Sequence, residues 1–149
     1  MISAFICSIV TIIIDQLTKF LIYGSASRSI IGDFLWFEST LNTGVAFSMF
    51  SGNSWVFVVI STVFSAVFVW LILSKKWFKS KIEKICFGFI LGGTLSNAID
   101  RIIFGGVRDF IYFKSIDFAI FNLADTAIVL GAIALCGYIL IQSIKKDNK

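Results

Sequence analysis

The sequence predicts an integral membrane protein, mainly α-helical, with four transmembrane helices and a small extracytoplasmic β segment. Three observations predict it. The 149 residues are 58% hydrophobic and only 15% charged, against about 25% charged in a typical soluble domain. The apolar residues fall into four long runs with almost no charge inside them, which is the pattern of membrane spans rather than of amphipathic surface helices. Between the runs lie short stretches rich in β-branched, aromatic and glycine residues, which read as strands and turns.

The first run covers Ile2 to Tyr23, the second Trp55 to Leu73, the third Ile85 to Phe104 and the fourth Asn122 to Ser143. At about 1.5 Å per residue, about 20 residues cross the roughly 30 Å of hydrocarbon. The first run has no basic n-region and no small-x-small exit, so a retained span is expected rather than a cleavable leader. Lys75, Lys76, Lys79, Lys81 and Lys84 sit between runs two and three, and Lys145, Lys146 and Lys149 follow run four. Those segments share a side by parity, so the positive-inside rule puts both termini in the cytoplasm and segments 24–54 and 105–121 outside. Trp55, Trp70 and Trp77 suit an interfacial aromatic belt. Outside, Ile30 to Phe37 and Val107 to Phe113 could pair as a small sheet resting on the bilayer. Residues 1–149 read as a single four-helix domain. The net charge of +4 resides in lysines beside the spans, so nucleic acid is not the expected partner.

Composition narrows the chemistry. Without histidine there is no Ser-His-Asp triad, no Cys-His pair and no HExxH zinc site. Cys7, Cys86 and Cys136 are far apart within apolar runs, with neither zinc nor disulfide spacing. No metal or cofactor is expected.

The remaining polar residues gather near the outward ends of the spans. Asp15 and Lys19 are spaced as an i,i+4 ion pair, which could also brace a site. Gly92 and Gly93 read as a close-packing patch. Asn97 and Asp100 lie one helical turn apart, and Arg101 follows at once, a combination that favours a supporting role for Asp100. Asp109 follows Gly105-Gly106. In a strand it would share a face with Val107 and Ile111, poorly hydrated if that face met lipid. The alternative is a loop carboxylate paired with Arg108 or Arg101, and the residues alone leave both open. Asn122 and Asp125 read plainly as a helix cap with an acid at the third position. Against that plain reading stands their position at the membrane face, opposite Asp100 and Asp109.

An ionisable carboxylate at the head of a spanning helix is a functional-site hypothesis by default. Two carboxylates sharing one proton suffice to activate water against an amide. The ionised one accepts a proton from water, and the protonated one polarises the carbonyl. Asp125, in the first turn of a helix, is favoured as the anion by the macrodipole, so if Asp109 is its partner the shared proton rests mainly there. A Ser48–Lys19 pair is the rival hydrolytic arrangement, disfavoured because Asp15 would keep Lys19 charged.

In this order, the motifs resemble those of the lipoprotein signal peptidases (signal peptidase II). They are Asp15-Gln16-x-Thr18-Lys19, Asn42-x-Gly44-x-Ala46-Phe47-Ser48, Gly92-Gly93-x-x-x-Asn97-x-x-Asp100-Arg101, Val107-x-Asp109-Phe110 and Phe121-Asn122-Leu123-Ala124-Asp125-Thr126-Ala127. The resemblance implies a bacterial cytoplasmic-membrane aspartyl endopeptidase. Such an enzyme cleaves the amide before the diacylglyceryl-modified cysteine of a prolipoprotein, with its site at the extracytoplasmic face. It implies Asp109 and Asp125 as the catalytic pair, a choice between Asp100 and Asp109 that the residues alone left open. Asn42, Gly44, Asn97, Asp100, Arg101 and Asn122 are implied to line or support the site, and Asp15 and Lys19 to brace it. The substrate lipoprotein and membrane lipid are the expected partners, and the protein is expected to act as a monomer. Ser96 departs from the pattern where glycine is common, and Arg108 stands where an apolar residue is usual. The loop from Asp109 to Asp125 is slightly short.

Two other classes compete. A proton-coupled carrier would place acids near the midplane with a polar path to both faces, whereas here the inward halves are apolar. A noncatalytic lipoprotein chaperone would tolerate loss of either acid. A presenilin-type protease would carry Gly-x-Gly-Asp, which is absent.

Overall fold

In the computed structural model, four helices long and apolar enough to span a membrane form a bundle capped at one end by a three-stranded antiparallel sheet. The structure describes residues 1–44, 54–74 and 80–147. The helices are α1 (Ile2–Ile22), α2 (Ser54–Leu73), α3 (Lys81–Phe104) and α4 (Leu123–Asp147), and the strands are β1 (Arg28–Ile31), β2 (Leu35–Asn42) and β3 (Val107–Phe113). Ala46, Phe47, Ser48, Lys75, Lys76, Trp77, Lys79 and Lys149, singled out above, lie outside the described residues. Trp55 and Trp70 are both largely exposed on α2.

The packing inverts that of a soluble bundle. On α1, the buried residues are Ala4, Ser8, Thr11, Asp15 and Lys19, a stripe of small and polar side chains at three- and four-residue spacing. Ile6, Ile9, Ile13, Leu17 and Phe20 point outward. Lipid solvates such side chains as well as a protein core does, so helices associate through small residues and polar contacts instead.

α3 is the central helix and packs against the other three. Its glycines set the approach. A Cβ on Gly92 would lie 2.6 Å from the Ser8 carbonyl oxygen, and one on Gly93 would collide with the Ala124 carbonyl oxygen. Gly88 meets the Ala4 carbonyl oxygen in the same way. These contacts make α1 parallel to α3. Gly93 against Ala124 and Gly131 against Cys86 make α4 antiparallel to it. α2 is also antiparallel to α3, with Phe57 near Arg101 and Phe68 against Phe87. The start of α1 and the end of α4 therefore lie at the end of the bundle away from the sheet.

Two element boundaries differ from expectation for local reasons. α3 begins at Lys81, four residues before the apolar run, because Ser80 and Glu83 form a reciprocal capping box that extends the helix through its charged first turn. The expected strand Ile30 to Phe37 is split by a turn at Gly32 (φ 47°), giving β1 and β2 as a hairpin. β2 then continues to Asn42 and pairs with β3. Between Phe37↔Ile111 and Thr40↔Asp109 the register slips by one residue on β2. Such a bulge re-aims the strand, here delivering Asn42 beside Asp109. Gly105, at φ 72°, ends α3 in the left-handed conformation, which glycine adopts without steric penalty. That turn sends β3 back across the end of the helix.

Gly92→Val or Gly93→Val should lower the melting temperature sharply, because the neighbouring atoms are backbone and must move apart, at a cost of about 1–3 kcal/mol or more. Gly137→Ala, with nothing within 4 Å of its Cβ, should be neutral or slightly stabilising. Thermal unfolding in detergent checks the contrast, and equal effects at the two places would contradict the packing account.

Candidate active site

The polar end of the bundle is built in two layers. The lower layer is a buried ion network. Lys19 Nζ lies 2.7 Å from Asp15 Oδ2 and 3.3 Å from Asp100 Oδ2, and it donates to Asn97 Oδ1 at 2.9 Å. All three ammonium protons thus have an acceptor, as a fully buried lysine requires. Asp15 also accepts from Ser96 Oγ at 2.7 Å and from the Ala124 backbone N–H at 2.8 Å. Asp15 thereby caps an orphan amide in the first turn of α4 from a different helix. Asp100 accepts from the Arg108 backbone N–H at 2.9 Å, from Arg108 Nη2 and from Gln16 Nε2, both at 2.8 Å. Both its oxygens are occupied, and it is fully buried.

The upper layer holds the other two acids. Asp109 accepts from Asn122 Nδ2 at 2.6 Å on one oxygen and from Asn42 Nδ2 at 3.0 Å on the other. Asp125 accepts from Asn97 Nδ2 at 2.7 Å and from the Asn122 backbone N–H at 3.3 Å. Asn122 Oδ1 accepts in turn from the Asp125 N–H at 2.9 Å, so the reciprocal cap is real. Asn122 therefore touches both acids, capping α4 through Asp125 while donating to Asp109. Asn97 links the layers, accepting from Lys19 and donating to Asp125. Burial, followed by the negative charge of Asp125, pushes the Asp109 pKa up to about 7.

These two acids open onto a cavity of about 540 Å³. Asn42, Asn97 and Arg101 supply its polar wall, and Phe118, Ile120, Val129 and Leu130 are among its apolar lining. Asp15, Lys19 and Asp100 do not reach it. Arg101 donates to the Gly44 carbonyl at 3.3 Å and stacks over the Phe57 ring at 5.4 Å. Gly44 N–H in turn donates to Asn42 Oδ1 at 3.1 Å. Among the described residues, no group of three or more His, Cys, Asp or Glu has the arrangement of a metal site.

A sequence profile described as Signal peptidase (SPase) II matches residues 7–141. The chain belongs to the signal peptidase II family. A lipoprotein signal peptidase of Shouchella clausii is 38% identical over 143 residues, covering 93% of each chain. One from Microcystis aeruginosa is 35% identical over 139 residues, covering 87% of this chain and 86% of its own. A solved bacterial membrane enzyme, determined by the in meso method at 2.3 Å resolution, superposes with a TM-score of 0.85 at 28% identity. It covers 98% of this chain and 92% of its own. The protein is thus a protease, and a multi-pass bacterial membrane protein.

Of the residues that the resemblance implies for the site, Asp15, Lys19 and Asp100 lie in the lower layer, Asn42, Asn97, Arg101, Asp109, Asn122 and Asp125 lie in the upper layer or on the cavity wall, and Gly44 stands beside them, bonded to Asn42 and Arg101. The surroundings of Asp109, left open by the residues alone, are decided by the strand. Arg108 does not pair with Asp109. Neighbouring strand residues point to opposite faces, so Arg108 turns back onto Asp100 while Asp109 faces the cavity with Val107. The face carrying Asp109 also meets this protein-walled cavity and not bare lipid, since residues 107–110 are all buried. Gln16, Ser96 and Arg108 were not assigned to the site by sequence reasoning. Gln16 sits inside a recognised motif, and the other two were the departures from it.

The raised Asp109 value carries a stability signature. Below about pH 4 the carboxyl is protonated in both folded and unfolded chains; from there to about pH 7 only the folded chain keeps the proton. Stability contributed by this group is therefore lost as pH rises through that window. Asp109→Asn should remove the loss, so its melting temperature relative to wild type should climb by several degrees between about pH 4 and about pH 8. Parallel melting curves for the two proteins would contradict the assignment.

Proposed function

We propose that the protein removes signal peptides from lipoproteins as an aspartyl endopeptidase, with Asp109 and Asp125 as its catalytic pair. One observation carries this reading: a buried and a half-buried carboxylate, Asp109 and Asp125, held by a shared asparagine, open onto a cavity that is otherwise mostly apolar. The other two acids of the bundle end, Asp15 and Asp100, have their oxygens filled by cations and amides and are walled off from the cavity. They are the supporting pair.

The roles follow from surroundings. Asp125 lies in the first turn of α4 and accepts from a backbone amide and Asn97, which favours its anion. Asp109, on a strand and raised to about 7, holds the shared proton. Water placed between them loses a proton to Asp125 as its oxygen attacks the scissile carbonyl carbon, and Asp109 donates its proton to the carbonyl oxygen. Collapse of the tetrahedral intermediate breaks the C–N bond. The proton taken by Asp125 passes to the departing amine, and Asp109 recovers its own.

The substrate is a prolipoprotein with a diacylglyceryl-modified cysteine, cut just before that residue. Val129, Leu130, Phe118 and Ile120 offer apolar wall for its acyl chains, and the signal helix lies beside the spans with its scissile amide over the pair. The sheet clamps the lipidated end. The polar end faces outward and both termini lie in the cytoplasm. Lys81, Lys84, Lys145 and Lys146, at the opposite end of the bundle, support that orientation. A single chain supplies every residue of the site, consistent with a monomer.

Cleavage of a diacylglyceryl prolipoprotein by purified protein in detergent tests the proposal. Asp109→Asn and Asp125→Asn should each lower kcat by about 10³-fold or more, in the range of lost acid–base catalysis. Asp100→Asn, properly folded, should retain measurable turnover. Full activity in Asp109→Asn would move the pair to Asp100 and Asp125, and no wild-type cleavage of lipidated substrates would end the peptidase reading for this site.

A further inference from the structure

Arg108 stands where the motif pattern is usually apolar, yet it is among the most constrained side chains in the protein. It is buried, and it bonds Asp100 through its backbone N–H, through Nε at 3.2 Å and through Nη2 at 2.8 Å. Nη2 also donates to Gln16 Oε1 at 2.8 Å, and Gln16 Nε2 returns to Asp100 Oδ1. Its guanidinium carbon lies 4.2 Å from the centroid of the Phe104 ring. A charge is thus sequestered where burial is costly unless it is matched.

The match becomes clear when every charged group at this end is counted. Among the described residues, α1 contributes Asp15 and Lys19, α3 contributes Asp100 and Arg101, β3 contributes Arg108 and Asp109, and α4 contributes Asp125. α2 carries no charged residue. Of the other charged residues of the sheet side, Arg28 lies over Phe37, Lys114 over Trp36 and Glu38 near Tyr112, Asp117 accepts from the Tyr112 hydroxyl, and Asp33 is exposed in the β1–β2 turn. Four carboxylates therefore face three cations, and one bound proton brings the cluster to neutrality. Without Arg108, neutrality would need two.

We infer that Arg108 is a positioning residue that acts through Asp100, supplying the charge that leaves the site neutral with a single proton on the Asp109–Asp125 pair. A pair with one proton is the form the proposed mechanism needs, so the inference rests on that reading. Arg108 also staples β3 to the end of α3 across the Gly105 turn, but an uncharged hydrogen-bonding side chain could keep much of that staple. The charge is the part that sets proton occupancy.

The pH profile of kcat separates charge from geometry. Removing a buried cation favours proton uptake by nearby carboxylates. At an effective dielectric near 20, one charge about 10 Å away moves a titration by about one unit. Arg108→Gln should shift both limbs of the profile upward by about that amount, and Asp100→Asn should shift both downward. The double variant Asp100→Asn/Arg108→Gln, which removes one charge of each sign, should return the limbs to wild type, and Arg108→Lys should leave them in place. Equal shifts in Arg108→Lys and Arg108→Gln, or a double variant displaced as far as Arg108→Gln, would overturn the inference. If Arg108→Gln does not fold, Asp100→Asn and the double variant decide it. Infrared titration of the Asp109 carboxyl in each variant needs no turnover. Failure to cleave would thus end the peptidase reading, whereas an Asp109 titration that ignores these charges would end this one.

Discussion

The end of the bundle depends on one buried ammonium. Lys19 is enclosed by protein on every side, and an unmatched charge there would destabilise the fold by several kcal/mol. Its three protons are met by Asp15 on its own helix and by Asp100 and Asn97 on α3. Each partner then has a second task. Asp15 accepts the Ala124 amide and so fixes the start of α4. Asp100 accepts the Arg108 amide and so fixes the start of β3. Asn97 donates to Asp125. A single cation thereby sets the positions of both elements that carry the proposed catalytic acids, without touching either acid.

The same arrangement explains how acids of one residue type can take different roles a few turns apart. Asp15 and Asp100 each contact a full cation and have no access to the cavity. Asp109 and Asp125 contact only neutral amides, from Asn42, Asn97 and Asn122. An asparagine amide orients a carboxylate and stabilises its charge less than an ion pair does. Each supporting acid is thus matched by a cation, and the pair facing the cavity is held by neutral amides alone. The glycines of α3 serve this division. Gly93 lets Ala124 approach closely enough for its amide to reach Asp15, so packing and polar chemistry act at one point.

Much of this was legible in the sequence, and what was not has physical reasons. The four spans follow from apolar length alone, and the Asp15–Lys19 pair follows from helical spacing. The Asn122–Asp125 cap was also legible, and it proved compatible with a functional reading rather than an alternative to it, because the asparagine amide has a free N–H₂ after its oxygen caps the helix. What stayed hidden depends on contacts that sequence spacing does not encode. The Arg108–Asp100 bond crosses a turn whose direction is set by the left-handed Gly105. The bulge between Phe37 and Thr40 leaves no composition signal, yet it determines that Asn42 meets Asp109. The start of α3 was missed because its first turn is charged, although Ser80 and Glu83 carry a recognisable cap.

The two proposed catalytic acids come from unlike elements, and the mechanism makes use of that difference. Asp125 is built into a helix start, where capping bonds and dipole hold one geometry. Asp109 sits on a strand at the end of the bundle, tied to the helices through Asn122 and through its neighbour Arg108. A pair taken from two helices could share one proton as well, but similar fields would not assign it to one member. A strand and a helix N-terminus give unequal fields by construction. Asn122 couples the two, since the amide whose oxygen caps Asp125 presents its nitrogen to Asp109. A change in the position of α4 therefore moves both acids together and preserves their relation, which is what a reaction passing one proton between two carboxylates requires.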